Sequence, residues 1–387
     1  MTASAASGHL SHENQIYWLA LSLTPGLGPT RIRRLVETFG SVERIFHSSL
    51  TELEAANIPA QSAQSLALGR SLELAEEERG KAAAAEATIV TLEDPAYPAQ
   101  LSEIYDPPIA LYVRGNVQAL SDPGIAVVGT RHPTPYGTGM SERLSCDLAA
   151  RGLVIFSGMA RGVDTAAHKG AIGAKGKTVA VFGTGVNVMY PRENAKLAAA
   201  IIDNGGALVS EFPMGTFAAP QNFPIRNRII SGLSIGVLVV EAGEYSGTRI
   251  TSRCALEQNR EIFAVPGNVV NKLSWTPNTL IKQGAKLVAT WEDVWEELPE
   301  AVKAKLPSAS SASEQPGTAS LFAADSLPPH EKKILQVLRA DEALQIDAII
   351  ERLEPDMSSS EVFAALFELE LAGKIRQLPG KNYVKTF

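Results

Sequence analysis

Ile125-Ala-Val-Val-Gly-Thr-Arg131 and Leu153-Val-Ile-Phe-Ser-Gly-Met-Ala-Arg-Gly162 decide the fold. Each is a short β-branched run that breaks into a glycine turn and then into a helix-like stretch, and the unit recurs along the chain. TIVTL, ALYVRG, IAVVG, LVIFSG, TVAVFG, ALVSEF, IGVLVVE, IFAVP and LVAT lie between Thr88 and Thr290. Nearly continuous apolar strands alternating with helices predict a parallel sheet covered on both faces. Residues 85–298 therefore read as one doubly wound α/β domain whose first strands extend it. Its ligand should lie beyond the carboxyl ends of the strands.

Working outward, residues 14–80 carry apolar positions at helical spacing and predict a small all-α unit after a disordered tail, 1–13. Its turn Leu23-Thr-Pro-Gly-Leu-Gly-Pro29 resembles the hairpin of helix-hairpin-helix modules, which offer backbone N–H groups to DNA, although acidic runs such as Glu76-Glu-Glu78 oppose such contact. Residues 303–327 are rich in Ala, Ser, Pro and Gly and read as a flexible linker. Residues 328–387 read as three helices and a hairpin around Pro379-Gly380, the pattern of a winged helix.

Composition narrows the function. Apolar residues make up 45% and charged residues 20%, as in ordinary globular proteins. Apolar runs such as Ile235–Val240 are far too short to span a bilayer, and the start lacks a secretory signal, so a cytoplasmic protein without membrane contact is expected. Two cysteines, Cys146 and Cys254, without a CxxC motif, give no disulfide framework or zinc ribbon, and no metal or cofactor is expected. The net charge of −7 hides an asymmetry. Residues 125–290 hold 17 Lys and Arg against 10 Asp and Glu, a net of +7, which leaves −14 for the rest. An anionic ligand suits the middle domain.

Five strand ends release into loops rich in Gly, Ser and Thr: 129–131, 157–162, 182–185, 211–215 and 241–248. Most lead into helices, whose N-termini present free N–H groups and partial positive charge. With Arg131, Arg161, Lys169, Arg226, Arg228 and Arg249 nearby, they describe a phosphate-binding groove. Gly183-Thr-Gly185-Val-Asn-Val188 lacks the third glycine of a dinucleotide fingerprint. Ala171-Ile-Gly-Ala-Lys-Gly176-Lys177-Thr178 lacks the first glycine of a P-loop and precedes a strand. No catalytic constellation can be assembled: His132 and His168 have no triad spacing, His168 reads as a helix residue packed on the sheet, and Asp164 suits helix capping as well as chemistry.

Ala126-Val-Val-Gly-Thr-Arg131, Ser157-Gly-Met-Ala-Arg-Gly-Val-Asp164, Phe223-Pro-Ile-Arg-Asn-Arg228, Glu257-Gln-Asn-Arg-Glu-Ile-Phe-Ala-Val-Pro-Gly267 and Asn278-Thr-Leu-Ile-Lys-Gln-Gly-Ala285, in this order, resemble the bacterial DNA-processing protein A (DprA, or Smf) family. The resemblance implies a helical module of sterile-alpha-motif or helix-hairpin-helix type, an extended Rossmann domain and a winged helix. It implies a non-catalytic protein that binds and shields incoming single-stranded DNA, loads RecA recombinase in natural transformation, and forms homodimers through its Rossmann domain. Carried onto this chain, the family's DNA pocket falls on Gly129, Thr130, Arg131, Ser157, Gly158, Arg161, Gly162, Arg226 and Arg228. Ser274-Trp-Thr-Pro277 and Gln221-Asn222 depart from the family pattern.

The alternative is a nucleotide-cleaving phosphoribohydrolase of the related Rossmann superfamily, but Gly247-Thr-Arg-Ile-Thr251 places Thr251 where that enzyme carries a catalytic Glu. Arg131→Ala and Arg228→Ala are each expected to weaken DNA binding with the fold intact. The run Ile235–Val240 and the helix after it are expected to bring apolar surface to the sheet's far edge for dimer contact. The C-terminal module holds 8 Lys and Arg against 10 Asp and Glu, and Ser358–Ala372, which would enter a major groove, has three Glu and no cation. Only weak duplex binding through the wing is expected, with protein contact at least as favoured.

Overall fold

The computed structural model describes residues 12–306, 328–339 and 342–385. Nine strands form the central sheet: β1 (Thr88–Thr91), β2 (Ala110–Gly115), β3 (Gly124–Val128), β4 (Val154–Ser157), β5 (Thr178–Val181), β6 (Ala207–Ser210), β7 (Gly236–Val239), β8 (Glu261–Ala264) and β9 (Lys286–Leu287). Their order is β1-β2-β6-β5-β4-β3-β7-β8-β9. The seven strands from β6 to β9 run parallel, while β1 and β2 add on antiparallel. The all-parallel reading thus fails at one edge. Between β1 and β2 the only helix is Ala99–Ser102, one turn, too short for a parallel crossover.

Alternation along each strand divides the core. Ile125, Val127 and Ile155 pack with Leu144, Leu148 and Ala167 on one face, whereas Ala126, Val128 and Phe156 meet Ile229, Ile230 and Leu233 on the other. Connections from β3 proceed outward through β4, β5 and β6; those from β7 proceed the opposite way through β8 and β9. The order reverses between β3 and β7, and their carboxyl ends splay apart there.

The run Ile235–Val240 does not reach an edge. Its strand β7 lies between β3 and β8, and Val237, Leu238 and Val239 are fully buried. The expected dimer surface there is corrected to core, because a strand flanked on both sides and covered on both faces has no apolar area left to offer.

The N-terminal helices have a core of their own, with Trp18, Leu21, Ile32, Leu35, Ile45, Leu53 and Leu66, and a second face packed on the sheet. Leu19 and Ala20 of helix His12–Leu23, with Ala75 and Ala82 of helix Arg70–Ala84, share one cluster with Ile89, Tyr112, Ala180 and Leu208 of the sheet. Trp18 Nε1 donates to Glu93 (3.1 Å) and Gln15 Nε2 to the Ile89 carbonyl (2.9 Å). In the hairpin-like turn, Gly26 has φ +82°, and the Ser62 hydroxyl donates to the Pro25 carbonyl (2.7 Å).

Leu306, inside the expected linker, is buried against the sheet domain; residues 307–327 and 1–11 lie outside the described residues, and the helix His12–Leu23 begins within the expected tail 1–13. The C-terminal module has helices Pro329–Val337, Ile346–Leu353 and Ser359–Leu371 and strands β10 (Leu344–Gln345), β11 (Ile375–Leu378) and β12 (Asn382–Lys385), ordered β10-β12-β11. The sequence reading missed β10, whose two residues are too few to show alternation. No helix among the described residues is long and apolar enough to cross a membrane.

Because the helical module and the sheet share a core, Leu19→Ala should cost about 2–5 kcal/mol. In urea, helical and sheet probes should report one transition with a lowered midpoint; a separate early transition of the helices would contradict the shared core.

Candidate functional site

A cleft of about 780 Å³ opens at the reversal point, between the carboxyl ends of β3 and β7. Gly129, Thr130 and Arg131 line one wall, Gly243 to Thr248 another, and Phe223, Arg226 and Asn227 of helix Asn222–Leu233 cross beneath.

Arg226 organises this floor. It is 4% exposed, its Nη1 donates to the Val181 carbonyl at the end of β5 (2.7 Å), and its Nε has no hydrogen-bond partner. Its guanidinium lies where a side chain on Gly158 would stand, so only glycine fits at that position. Burial lowers the Arg226 pKa to about 10, while Asp164 favours its charge. Asp164, in the first turn of helix Val163–Gly173, accepts from the N–H groups of Gly158 (3.1 Å) and Ala160 (3.3 Å). Burial raises its carboxyl from 3.8 to about 6, against the opposing pull of Arg226 and the two N–H groups. Asp164 therefore fixes the 157–162 loop.

His168 sits deeper. The Thr178 hydroxyl donates to the Ile155 carbonyl (2.6 Å), so its oxygen accepts from His168 Nδ1–H (2.7 Å). Burial, with Arg226 adding to it, pulls the ring pKa down to about 3 and keeps it neutral. Glu241, at the end of β7, accepts from the Thr134 N–H (2.8 Å) and hydroxyl (2.7 Å), while its carbonyl accepts from Thr130 N–H (2.6 Å). These bonds hold the β3 and β7 loops together, a role the sequence reading did not assign.

The expected site residues do not all stand in one place. Arg131 and Arg161 are exposed beside the Gly158 loop. Arg131 stands 5.7 Å over the Phe223 ring, and Arg161 pairs with Glu193. Arg249 is exposed at the start of helix Thr248–Glu257, donates to the Glu244 carbonyl (3.0 Å) and stands 5.5 Å over Trp275. Gly129, Gly158 and Gly162 act through backbone approach: Gly162 has φ +75°, and a side chain there would strike the Thr130 carbonyl. Ser157 is buried and donates to the Val127 carbonyl (2.6 Å). Lys169 is exposed on helix Val163–Gly173 but is not among the residues lining the cleft.

Arg228 is the correction. It lies two residues past Arg226, roughly 200° around the helix, and points away from the cleft. Its Nε donates to Asp106 (2.9 Å) and its Nη2 to Glu211 (2.7 Å) in a largely buried ion pair. The loops 182–185 and 211–215 also stay out of the cleft. Gly183 packs against Phe223 from behind, and the Gly185 N–H donates to the Thr216 carbonyl. What the sequence did not show is an aromatic rim. Phe223, Tyr190 (5.5 Å from it) and the exposed Tyr245 come from three separate segments.

Fold and cleft define an extended Rossmann-like protein with an open, anion-compatible site at its strand-order reversal. Residues 88–299 match the family model described as DNA recombination-mediator protein A, and residues 318–381 match the DprA winged helix domain. Protein Smf of Escherichia coli is 46% identical over 75% of both chains, and the DNA processing protein DprA of Bacillus subtilis is 46% identical over 53% of this chain and 69% of that one. The X-ray structure of DNA processing protein A from Streptococcus pneumoniae superposes with a TM-score of 0.64 at 35% identity, covering 74% of this chain and 98% of that one. The chain belongs to the bacterial DNA-processing protein A (DprA/Smf) family.

Arg228→Ala would strand Glu211 as a buried, unpaired carboxylate and should cost roughly 3–5 kcal/mol in chemical denaturation; unchanged stability would place Arg228 outside a structural ion pair. A second expectation concerns pH. The folded pKa of Asp164, about 6, exceeds its ordinary 3.8, so folding takes up a proton. The stability this contributes is full below about pH 4 and is lost as pH rises through about 6. Asp164→Asn should remove that component from the stability–pH profile, and its carboxyl carbon should titrate near 6 by NMR.

Proposed function

We propose that the cleft binds single-stranded DNA, and that through it the chain shields incoming strands and hands them to RecA during natural transformation. One observation carries this reading: exposed Arg131 and Arg161 stand beside a rim of Phe223, Tyr190 and Tyr245 in an open cleft. Cations track a phosphate backbone, and rings stack on unpaired bases without reading their identity. The sequence alone suggested contact through phosphates only; the rim adds stacking.

The reading is one of binding rather than catalysis. Thr251, which stands where a related hydrolase carries its acid, is 2% exposed, and Asp164 is committed to two loop N–H groups. The chain would act in the cytoplasm as a homodimer paired through its Rossmann domain. The C-terminal wing, with Lys374, Arg376, Lys381 and Lys385, would add weak duplex contact at most. Arg376 and Lys385 face a second cleft of about 460 Å³ against helix Pro135–Ala150.

Fluorescence anisotropy with a labelled oligothymidylate tests the site. Arg131→Ala should weaken binding about tenfold, and Phe223→Ala or Tyr245→Ala should each cost about 1–3 kcal/mol. Affinity should fall with salt at a log–log slope of roughly −0.7 per neutralised phosphate. Truncation at residue 327 should leave most affinity in place. Salt-independent binding, or wild-type affinity in all three variants, would move the site elsewhere. Sedimentation at micromolar concentration tests the homodimer, and a single-strand exchange assay with RecA tests the handover.

A further inference from the structure

Helix Ser359–Leu371 of the winged module is built to meet something other than DNA. Its inner face, Val362, Ala365, Leu366 and Leu369, is buried in the module's own core. Its outer face carries Phe363, Phe367 and Leu371, which are 50%, 62% and 74% exposed. At i, i+4 and i+8 these three fall within roughly 80° of the helix circumference and form one continuous apolar seam. Glu370 borders the seam on one side, and Glu368 and Glu361 border it on the other. Two of these acids are held in place: Glu361 accepts from the Ser358 N–H (2.8 Å) and Glu370 from the Gln377 N–H (3.3 Å).

We infer that this seam docks a partner protein through an amphipathic helix whose apolar stripe is flanked by Lys or Arg. The charge selects the occupant. Nucleic acid is repelled, because the helix that would lie in the groove presents carboxylates and has no Lys or Arg. A second copy of the same seam would bring acid against acid. The chain's own segments 1–11 and 307–327 contain no Lys or Arg to face Glu368 and Glu370. A basic amphipathic helix satisfies both features at once, with apolar residues covering the rings and cations meeting the rims, the helix-in-groove mode of recognition.

The full-length chain can be titrated with two labelled synthetic helices that share a leucine stripe and differ only in flanking Lys or Glu. The Lys-flanked helix should bind at least tenfold more tightly. Phe367→Ser with Leu371→Ser should abolish that binding without changing the circular dichroism, since both side chains are exposed. Glu368→Lys with Glu370→Lys should reverse the preference between the two helices. In cells, a photocrosslinking amino acid at position 367 should join the chain to a different protein at a segment with this pattern. Equal binding of the two helices, or unchanged binding by the Ser variant, overturns the inference. So does a crosslink to a second copy or to DNA, or vesicle binding that the Ser substitutions remove.

Discussion

The buried guanidinium of Arg226 is the constraint on which the cleft depends. A charged group taken out of water needs compensating neighbours, and here they come from three other elements: the Val181 carbonyl of β5, the Asp164 carboxylate of helix Val163–Gly173 and the bare backbone of Gly158 after β4. Each is an end of an element rather than its middle. The sheet pairing already fixes β4 and β5 as far as Ser157 and Ala180; what the interaction holds is the loop that follows, where Gly158 passes over the guanidinium.

With that floor set, the two jobs of the site's arginines separate. Arg226 and Arg228 are structural cations, the first bonded to the Val181 carbonyl with Asp164 favouring its charge and the second paired with Asp106 and Glu211, whereas Arg131 and Arg249 project outward and stand over aromatic faces. Stacking on a ring leaves the guanidinium edges free to donate. Glu241 completes the frame by tying Thr134 and Thr130 to the end of β7, so the walls are as fixed as the floor.

The sheet was readable from sequence because its strands are short β-branched runs closed by glycine, and because the helices between them are long enough to cross over. Where that signal is thin the reading failed. The strands β1 and β2 at one end of the sheet look like the others in composition, and only the one-turn helix between them betrays antiparallel pairing. The N-terminal helices show helical periodicity, but periodicity does not say which neighbour their apolar face meets, and Leu19 proved to share a core with Tyr112. In the site, Arg131, Gly158 and Arg161 could be gathered from loop chemistry. The difference between Arg226 and Arg228 was available in principle from helical spacing, but its sense required knowing which face of helix Asn222–Leu233 looks into the cleft. Tyr190, Phe223 and Tyr245 are 22 or more positions apart, and no local pattern joins them.

If the groove takes a single strand as proposed, the pairing of Arg161 with Glu193 would set an entry threshold for it. Both side chains are about half exposed, so under the proposed function the carboxylate would be a built-in competitor for an incoming phosphate. A lone nucleotide brings one point of attachment to that exchange and gains little from it. A polymer brings many, and once one phosphate is seated the next arrives at high local concentration. On the proposed reading of the groove as a single-strand site, the ion pair would filter by valency, favouring a chain of phosphates over a lone one.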